Sequence, residues 1–218
     1  MSLKSILEKI QKNLMKREEV WENIKRDMRR ATRLSKQAIL FAHQERNESA
    51  RKSLEEAKDF LSKLREISRD YPDLVHSGMV DSAFQEYAEA HTFLSLIEED
   101  RFIDPDELDI PSASYILGLA DVIGEFRRRA LDAIRRGDTG MAEDCLQKME
   151  HIYTELTNMD EGYLLVSGLR RKCDVARHII ESTRGDVTIE ARRSSLEHAI
   201  SELEKTIGRK KKTEKRRS

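Results

Sequence analysis

Two pairs of acidic residues lie at helical spacing in segments that are otherwise largely apolar. Glu86 and Glu89 are three residues apart, and Asp121 and Glu125 are four apart, so each pair shares one face of a helix. Carboxylates in an apolar setting are unfavourable unless a positive charge neutralises them. A divalent cation with oxygen ligands does this well. The two pairs are therefore candidates for an acidic metal site, and Arg or Lys partners are the alternative.

Ordinary ion pairs are the alternative interpretation of the second acidic segment. Glu125 could pair with Arg129, and Asp132 with Arg128, each at a spacing of four residues. The same segment also holds small residues, which predict that another chain segment or a ligand approaches it closely. These small residues are Gly118, Ala120 and Gly124.

A row of basic residues near the N-terminus is the other pattern with a chemical meaning. Six cations fall within about three helical turns, roughly 16 Å of helix. A row of this length could neutralise several phosphates of a nucleic acid strand. A solvated face that pairs with acids of neighbouring helices is the alternative. The six residues are Lys25, Arg26, Arg29, Arg30, Arg33 and Lys36.

Seven helices are predicted to position these side chains, and no segment alternates as a strand would. Apolar residues at spacings of three and four define the helices, while Pro and Gly mark their ends. With only 9 Gly and 3 Pro, a turn-rich β fold is excluded. The chain is thus predicted to be one all-α domain with a long first helix. The predicted helices cover about 2–43, 47–71, 72–102, 111–137, 138–157, 162–184 and 188–206.

The net charge of −1 conceals a strong asymmetry along the chain. Residues 1–36 carry 11 Lys and Arg against 5 Asp and Glu, and residues 206–218 carry 7 against 1. The remainder is acidic, with ten acids and a single base between Asp81 and Asp109. Two basic segments around an acidic body suggest contact with nucleic acid, although the tail could equally be a solvated, disordered end.

Several other classes of protein are excluded by the sequence. No apolar run is long enough to span a membrane, and residues 1–14 are too charged for a secretory signal. Cys145 and Cys173 have no metal-like spacing and indicate ordinary thiols of a reducing compartment. The histidines form no zinc-like pair, and His91 is predicted to be a packed core residue. No P-loop, dinucleotide turn or nucleophile motif occurs.

Three blocks of sequence together resemble the translin family, and most closely its Trax branch (translin-associated factor X). The first block is QEYAEA at 85–90, the second is SYILGLADVIGEFRRRALDAIRRGD at 114–138, and the third is GYLLVSGLRRKCDVARHIIESTRG at 162–185. With the long first helix, the resemblance covers nearly the whole chain to about residue 185. The connection at 102–111 is short compared with eukaryotic Trax, which suggests an archaeal-type relative.

The resemblance implies a seven-helix bundle of the translin type that assembles into a hollow homo-oligomer, an octamer, with or without a translin-like subunit. We expect the helical domain to span residues 1–206 and a basic, disordered tail to span 207–218. The implied function is a cytoplasmic, Mg²⁺-dependent endoribonuclease that binds single-stranded or short duplex RNA and contacts no membrane. A non-catalytic translin-like scaffold that binds single-stranded RNA or DNA is the alternative, and a purely helical scaffold is a third hypothesis.

The site that the resemblance implies falls on the two acidic pairs. It assigns the metal and catalytic roles to Glu86, Glu89, Asp121 and Glu125, with Glu125 as fourth ligand or proton acceptor. Mg²⁺ is the expected metal, with Mn²⁺ as an alternative, because both favour oxygen ligands. The residues expected to contact RNA phosphates are Arg26, Arg29, Arg30, Arg33, Arg128 and Arg129.

Overall fold

The structure, a computed structural model, describes residues 2–75, 77–159 and 165–214. Within these residues helix is the only regular element, so the predicted all-α fold with a long N-terminal helix is confirmed. The described chain contains eight helices rather than seven. They are α1 (Leu3–His43), α2 (Asn47–Asp70), α3 (Pro72–Val75), α4 (Gly78–Glu98), α5 (Pro105–Leu108), α6 (Ser112–Arg135), α7 (Thr139–Thr157) and α8 (Leu169–Glu214).

The described residues divide into two compact units. The first unit contains the chain up to Val122 together with Met159–Lys172, and the second contains Ile123–Asn158 together with the chain from Cys173 onward. Helices α6 and α8 each run through both units. The predicted boundary between a domain at 1–206 and a tail at 207–218 stays a prediction.

The first unit is organised around α1, which packs against α2 and α4. Ser2 caps α1 by accepting a hydrogen bond from the backbone N–H of Ser5 at 3.3 Å. From Ile24 onward, apolar residues at spacings of three and four point into the core, and Met28 and Ala31 are completely buried. The apolar residues of the first turns are different: Leu3, Leu7, Ile10 and Leu14 are 49–71% exposed.

The predicted helix at 72–102 is wrong as a single element. Ser77 has an extended backbone, with φ −134° and ψ 149°, and this separates α3 from α4. Helix α4 ends at Glu98, and Asp100 follows in the left-handed region with φ 53°. The connection to α6 then forms the short helix α5, where Asp104 and Glu107 make a reciprocal capping box.

The turn between α6 and α7 follows the sequence prediction. Gly137 adopts φ +74°, a conformation that side chains disfavour, and it ends α6. Asp138 then caps α7 by accepting from the backbone N–H of Met141 at 2.9 Å. These two residues reverse the chain within the second unit.

The predicted break at Gly185 is wrong, because α8 continues through it to Glu214. Side-chain contacts hold the helix on both sides of the glycine. Arg127 donates to the Thr183 hydroxyl at 2.7 Å and lies 3.7 Å from Asp186, while Arg184 pairs with Glu150 at 2.6 Å. These contacts offset the roughly 1 kcal/mol that a mid-helix glycine costs relative to alanine.

Alanine at the two glycines should therefore have opposite effects. Gly185→Ala should raise the free energy of unfolding by up to about 1 kcal/mol, because the backbone is helical and, apart from adjacent residues and the helix's own backbone, no described atom lies within 4 Å of the added methyl group. Gly137→Ala should lower it by about 1 kcal/mol because of the left-handed backbone. Urea unfolding followed by circular dichroism measures both. A shift of the same sign in both variants would contradict the assigned helix ends.

Candidate functional site

The acidic pair of α4 lies in the first unit on a helix that is buried along most of its length. Glu89 is 8% exposed, which is rare for a carboxylate. Glu86 is partly exposed, and its Oε1 lies 3.0 Å from Nζ of Lys36 on α1. The structure thus places Glu86 beside a cation of the basic row.

Helix α6 approaches α4 at Gly118 with almost no space between the backbones. A Cβ atom at Gly118 would lie 2.6 Å from the carbonyl oxygen of Gln85, 2.8 Å from Cβ of Ala88 and 2.9 Å from the backbone nitrogen of Glu89. Only glycine permits this contact. The predicted close approach is correct at Gly118, whereas nothing described lies within 4 Å of a Cβ at Gly124.

Asp121, one turn after Gly118, is bound on both of its carboxylate oxygens. Oδ2 accepts a hydrogen bond from Nε2 of Gln85 at 2.5 Å, and Oδ1 accepts one from Nζ of Lys172 at 2.5 Å. Gln85 is on α4 and Lys172 is in the first turn of α8, so this carboxylate joins three helices. Such short, charge-assisted contacts are strong when they are partly shielded from water.

Gln85 and Lys172 were not among the residues predicted for the site. Their position was nevertheless marked in the sequence. Gln85 begins the QEYAEA block, and Lys172 lies within the third block of the resemblance, in a run of three bases. The sequence could not predict that these two residues pair with Asp121, because they are 36 and 51 residues away from it.

Glu125 belongs to the second unit. Its Oε2 lies 4.0 Å from Nη1 of Arg128, and Asp132 pairs with Arg135 at 3.1 Å. Both of these ion pairs join residues three apart on α6. Arg128 is exposed and Arg129 is half-buried, so neither guanidinium is enclosed in the core.

The metal-binding capacity of these acids depends on what already neutralises them. Carboxylate oxygens are the donors that Mg²⁺ prefers, and Glu86 and Asp121 each hold an ammonium group within 3.0 Å, so both accommodate a cation. The donor chemistry therefore fits Mg²⁺. As the described side chains are placed, no three His, Cys, Asp or Glu residues come together closely enough to hold a metal ion.

Glu86, Glu89 and Asp121 form what we call the acidic cluster. Two aromatic residues of α4, the buried Tyr87 and the half-buried His91, lie outside it. Burial raises the pKa of Tyr87 to about 12 and lowers the pKa of His91 to about 4. Their rings meet edge to face with centroids 5.3 Å apart. His91 is therefore neutral near pH 7 and packs against the ring of Tyr87.

The basic row of α1 lies on the surface of the first unit. Arg26, Arg29, Arg30 and Arg33 are all exposed, whereas Lys25 is half-buried and pairs with Glu22. A groove of about 580 Å³ runs beside the row and is lined by both α1 and the start of α4. Its lining residues are Arg29, Thr32, Arg33, Lys36, Gly78, Met79 and Ser82.

The groove and the acidic cluster share Lys36, which lines the groove and pairs with Glu86. An anion in the groove would therefore lie next to the acidic pair of α4. Arg26 and Arg30 make weaker local contacts: Arg26 donates to Asn23 at 2.7 Å, and Arg30 lies over the ring of Phe60 at 5.7 Å. Both guanidinium groups remain exposed to solvent.

Comparison with known proteins identifies the family of the chain. The translin family model matches residues 19–183, about three quarters of the chain, and so includes the acidic cluster and the basic row. The chain therefore belongs to the translin family. An uncharacterized protein of Methanocaldococcus jannaschii is 37% identical over 139 residues, which are 59% of this chain and 61% of that protein. The match thus spans less than two thirds of this relative.

Solved structures share the fold over nearly their whole length. AfC3PO in complex with duplex RNA has a TM-score of 0.74 and 33% identity, covering 86% of this chain and 97% of its own. AfC3PO alone has a TM-score of 0.74 and 34% identity, covering 86% of this chain and 97% of its own. NeC3PO in its apo form has a TM-score of 0.75 and 26% identity, covering 84% of this chain and 96% of its own. No described helix is long and apolar enough to cross a membrane.

The close contact between α6 and α4 can be tested with the two glycines of α6. Gly118→Ala should lower the free energy of unfolding by about 1–3 kcal/mol, because the methyl group meets backbone atoms that cannot rotate away. Gly124→Ala is the matched control. It should be neutral or raise the free energy of unfolding by up to about 1 kcal/mol, because the methyl group meets no described atom. Denaturant titrations of both variants measure the free energy of unfolding. An unchanged free energy of unfolding in Gly118→Ala would refute the contact.

Proposed function

We propose that this chain is an RNA-binding, Mg²⁺-dependent endoribonuclease of the Trax branch of the translin family. The observation that supports this most directly is the contact at Gly118. It brings Asp121 of α6 beside the turn of α4 that contains Glu86 and Glu89, with a basic groove next to it. A phosphodiester is an anion that must be held near a charged catalytic centre, and this arrangement offers both features.

RNA binding is assigned to the exposed arginines of α1. Arg26, Arg29, Arg30 and Arg33 follow one helix face and can contact successive phosphates without reading bases. The duplex RNA bound by AfC3PO supports single-stranded or short duplex RNA as the ligand class. Arg128 and Arg129 are proposed as further phosphate contacts, because both retain solvent access.

The catalytic proposal assigns Glu86, Glu89 and Asp121 as direct or water-bridged ligands of Mg²⁺. Glu125 would be a fourth ligand or accept a proton. When bound, Mg²⁺ would supply polarisation of a phosphoryl oxygen and acidify a water molecule. The residues of the chain would orient the phosphate through the α1 arginines and exclude bulk water through the packing of α4. Mn²⁺ could replace Mg²⁺ because it accepts the same ligands.

A non-catalytic, translin-like RNA- or DNA-binding scaffold is the second candidate. It is favoured by the ion pairs of Glu86 with Lys36 and of Asp121 with Lys172, which neutralise the acids without any metal. In that case the carboxylates are structural. The two candidates share RNA binding and differ in cleavage, so one assay separates them.

We further propose that the chain assembles in the cytoplasm into a hollow octamer, either of this chain alone or together with a translin-like subunit. The exposed leucine and isoleucine side chains of the first turns of α1 support burial between subunits, since large apolar patches on a lone monomer are unfavourable. Cys145 and Cys173 are buried thiols, in agreement with a reducing compartment.

Incubating labelled single-stranded and short duplex RNA with the protein, with and without Mg²⁺, tests the function. Wild type should cleave only with Mg²⁺. Glu89→Gln should reduce the cleavage rate by about 100-fold or more while RNA binding persists, because a lost ligand matters at least as much as a lost outer-sphere partner. Glu56→Gln, at an exposed acid of α2, is the matched control. Equal cleavage by wild type and Glu89→Gln would reject the catalytic site, and binding without cleavage would favour the scaffold.

Light scattering tests the assembly. An octamer of the 25.3 kDa chain should scatter as about 200 kDa. Replacing Leu7 and Ile10 by Ser should reduce the measured mass, because both are exposed on α1. A wild-type mass equal to that of the single chain would refute the proposed assembly.

A further inference from the structure

Both carboxylate oxygens of Asp121 accept a hydrogen bond, and the donors affect metal binding. Lys172 donates to Oδ1 and Gln85 donates to Oδ2, each at 2.5 Å. Each oxygen keeps a further lone pair, so these hydrogen bonds alone do not prevent Asp121 from ligating a metal ion. The positive charge of the Lys172 ammonium opposes a dication on the same carboxylate.

Of the two partners of Asp121, Lys172 is the one that competes with a metal ion, because it is positively charged. Its ammonium is positive, whereas Gln85 is neutral and could stay hydrogen-bonded to a metal-bound carboxylate as an outer-sphere partner. The side chain of Lys172 is 26% exposed, whereas that of Lys36, the other lysine on the acidic cluster, is 61% exposed. Lys172 is thus the more enclosed of the two cations and depends more on its carboxylate.

The backbone holds Lys172 at this position. Gly168 adopts φ +89°, and its carbonyl oxygen accepts from the backbone N–H of Lys172 at 3.1 Å in the first turn of α8. Leu169 is completely buried and anchors that turn. The flexible four-carbon stem of lysine then permits Nζ to withdraw from Asp121 while the helix stays in place.

We propose that Lys172 is a built-in counter-ion of Asp121 that competes with a divalent cation for this carboxylate, and that it thereby sets the metal affinity of the acidic site. This inference rests on the proposed metal site. A dication and an ammonium on one carboxylate repel each other, so the ammonium weakens metal binding for as long as it remains nearby. Lys172 is therefore a positioning residue that acts through Asp121. It keeps the acids neutralised when no metal is present.

Binding of Mn²⁺ to the full-length protein, measured by titration calorimetry and by electron paramagnetic resonance, tests the proposal without any turnover. Lys172→Met should bind Mn²⁺ at least about tenfold more tightly than wild type, because one opposing charge is removed. Lys172→Arg keeps the charge and should stay within about threefold of wild type. The matched control is Lys148→Met, which removes a lysine whose partner is Asp144 on α7 and should leave the affinity unchanged.

Each outcome has a defined meaning. Equal Mn²⁺ affinities of wild type and Lys172→Met, with binding abolished by Asp121→Asn, would overturn this inference and leave the metal site intact. Weaker binding by Lys172→Met would also overturn it, since Lys172 would then assist the metal. Absence of Mn²⁺ binding in all variants would overturn both proposals. If Lys172→Met does not fold by circular dichroism, Lys172→Gln, which keeps a hydrogen-bond donor without the charge, provides the same comparison.

Discussion

The close approach of α6 to α4 at Gly118 is the constraint on which the acidic cluster depends. Because an added Cβ would lie 2.6 Å from a carbonyl oxygen, the helices can touch only where a residue has no side chain. That contact sets the position of Asp121 one turn later and brings it within hydrogen-bonding distance of Gln85. A wider spacing would separate Asp121 from the turn of α4 that contains Glu86 and Glu89.

Local ion pairing is a second feature that organises the first unit. The chain is nearly neutral as a whole, yet the structure sets cations of α1 and α8 directly on carboxylates of α4 and α6. Each lysine offsets the cost of a partly shielded acid. Lys36 has a further importance because it also lines the groove beside the α1 arginines. The basic row and the acidic cluster are therefore adjacent parts of one surface.

Helix α1 has two roles along its length. From Ile24 onward it contributes a buried face to the core, whereas its first turns present leucine and isoleucine to solvent. A helix of 41 residues spans about 60 Å, longer than a small globular unit can cover. The apolar spacing is the same in both parts, so the periodicity predicts a helix but not what covers each part.

The sequence by itself determined the helical class, the turn at Gly137 and Asp138, the pairing of small and acidic residues on α6, and the membership of the family. These follow from local rules, because helix periodicity, left-handed glycine and capping residues act within a few positions. The tertiary structure decided the break between α3 and α4 at Ser77 and the continuity of α8 through Gly185. At Gly185, contacts from Arg127 and Glu150 outweigh the weak intrinsic preference of one glycine.

The four acids could be selected from their spacing and from the resemblance, but their partners could not. Lys172 and Gln85 are 51 and 36 residues from Asp121, and only the packing of α8 and α4 against α6 brings them to one carboxylate. Local spacing predicts which side chains share a helix face, whereas the neutralising partner of a charge depends on which helices meet. The candidate acids can therefore be chosen from the sequence, whereas the groups that neutralise them are decided by the fold.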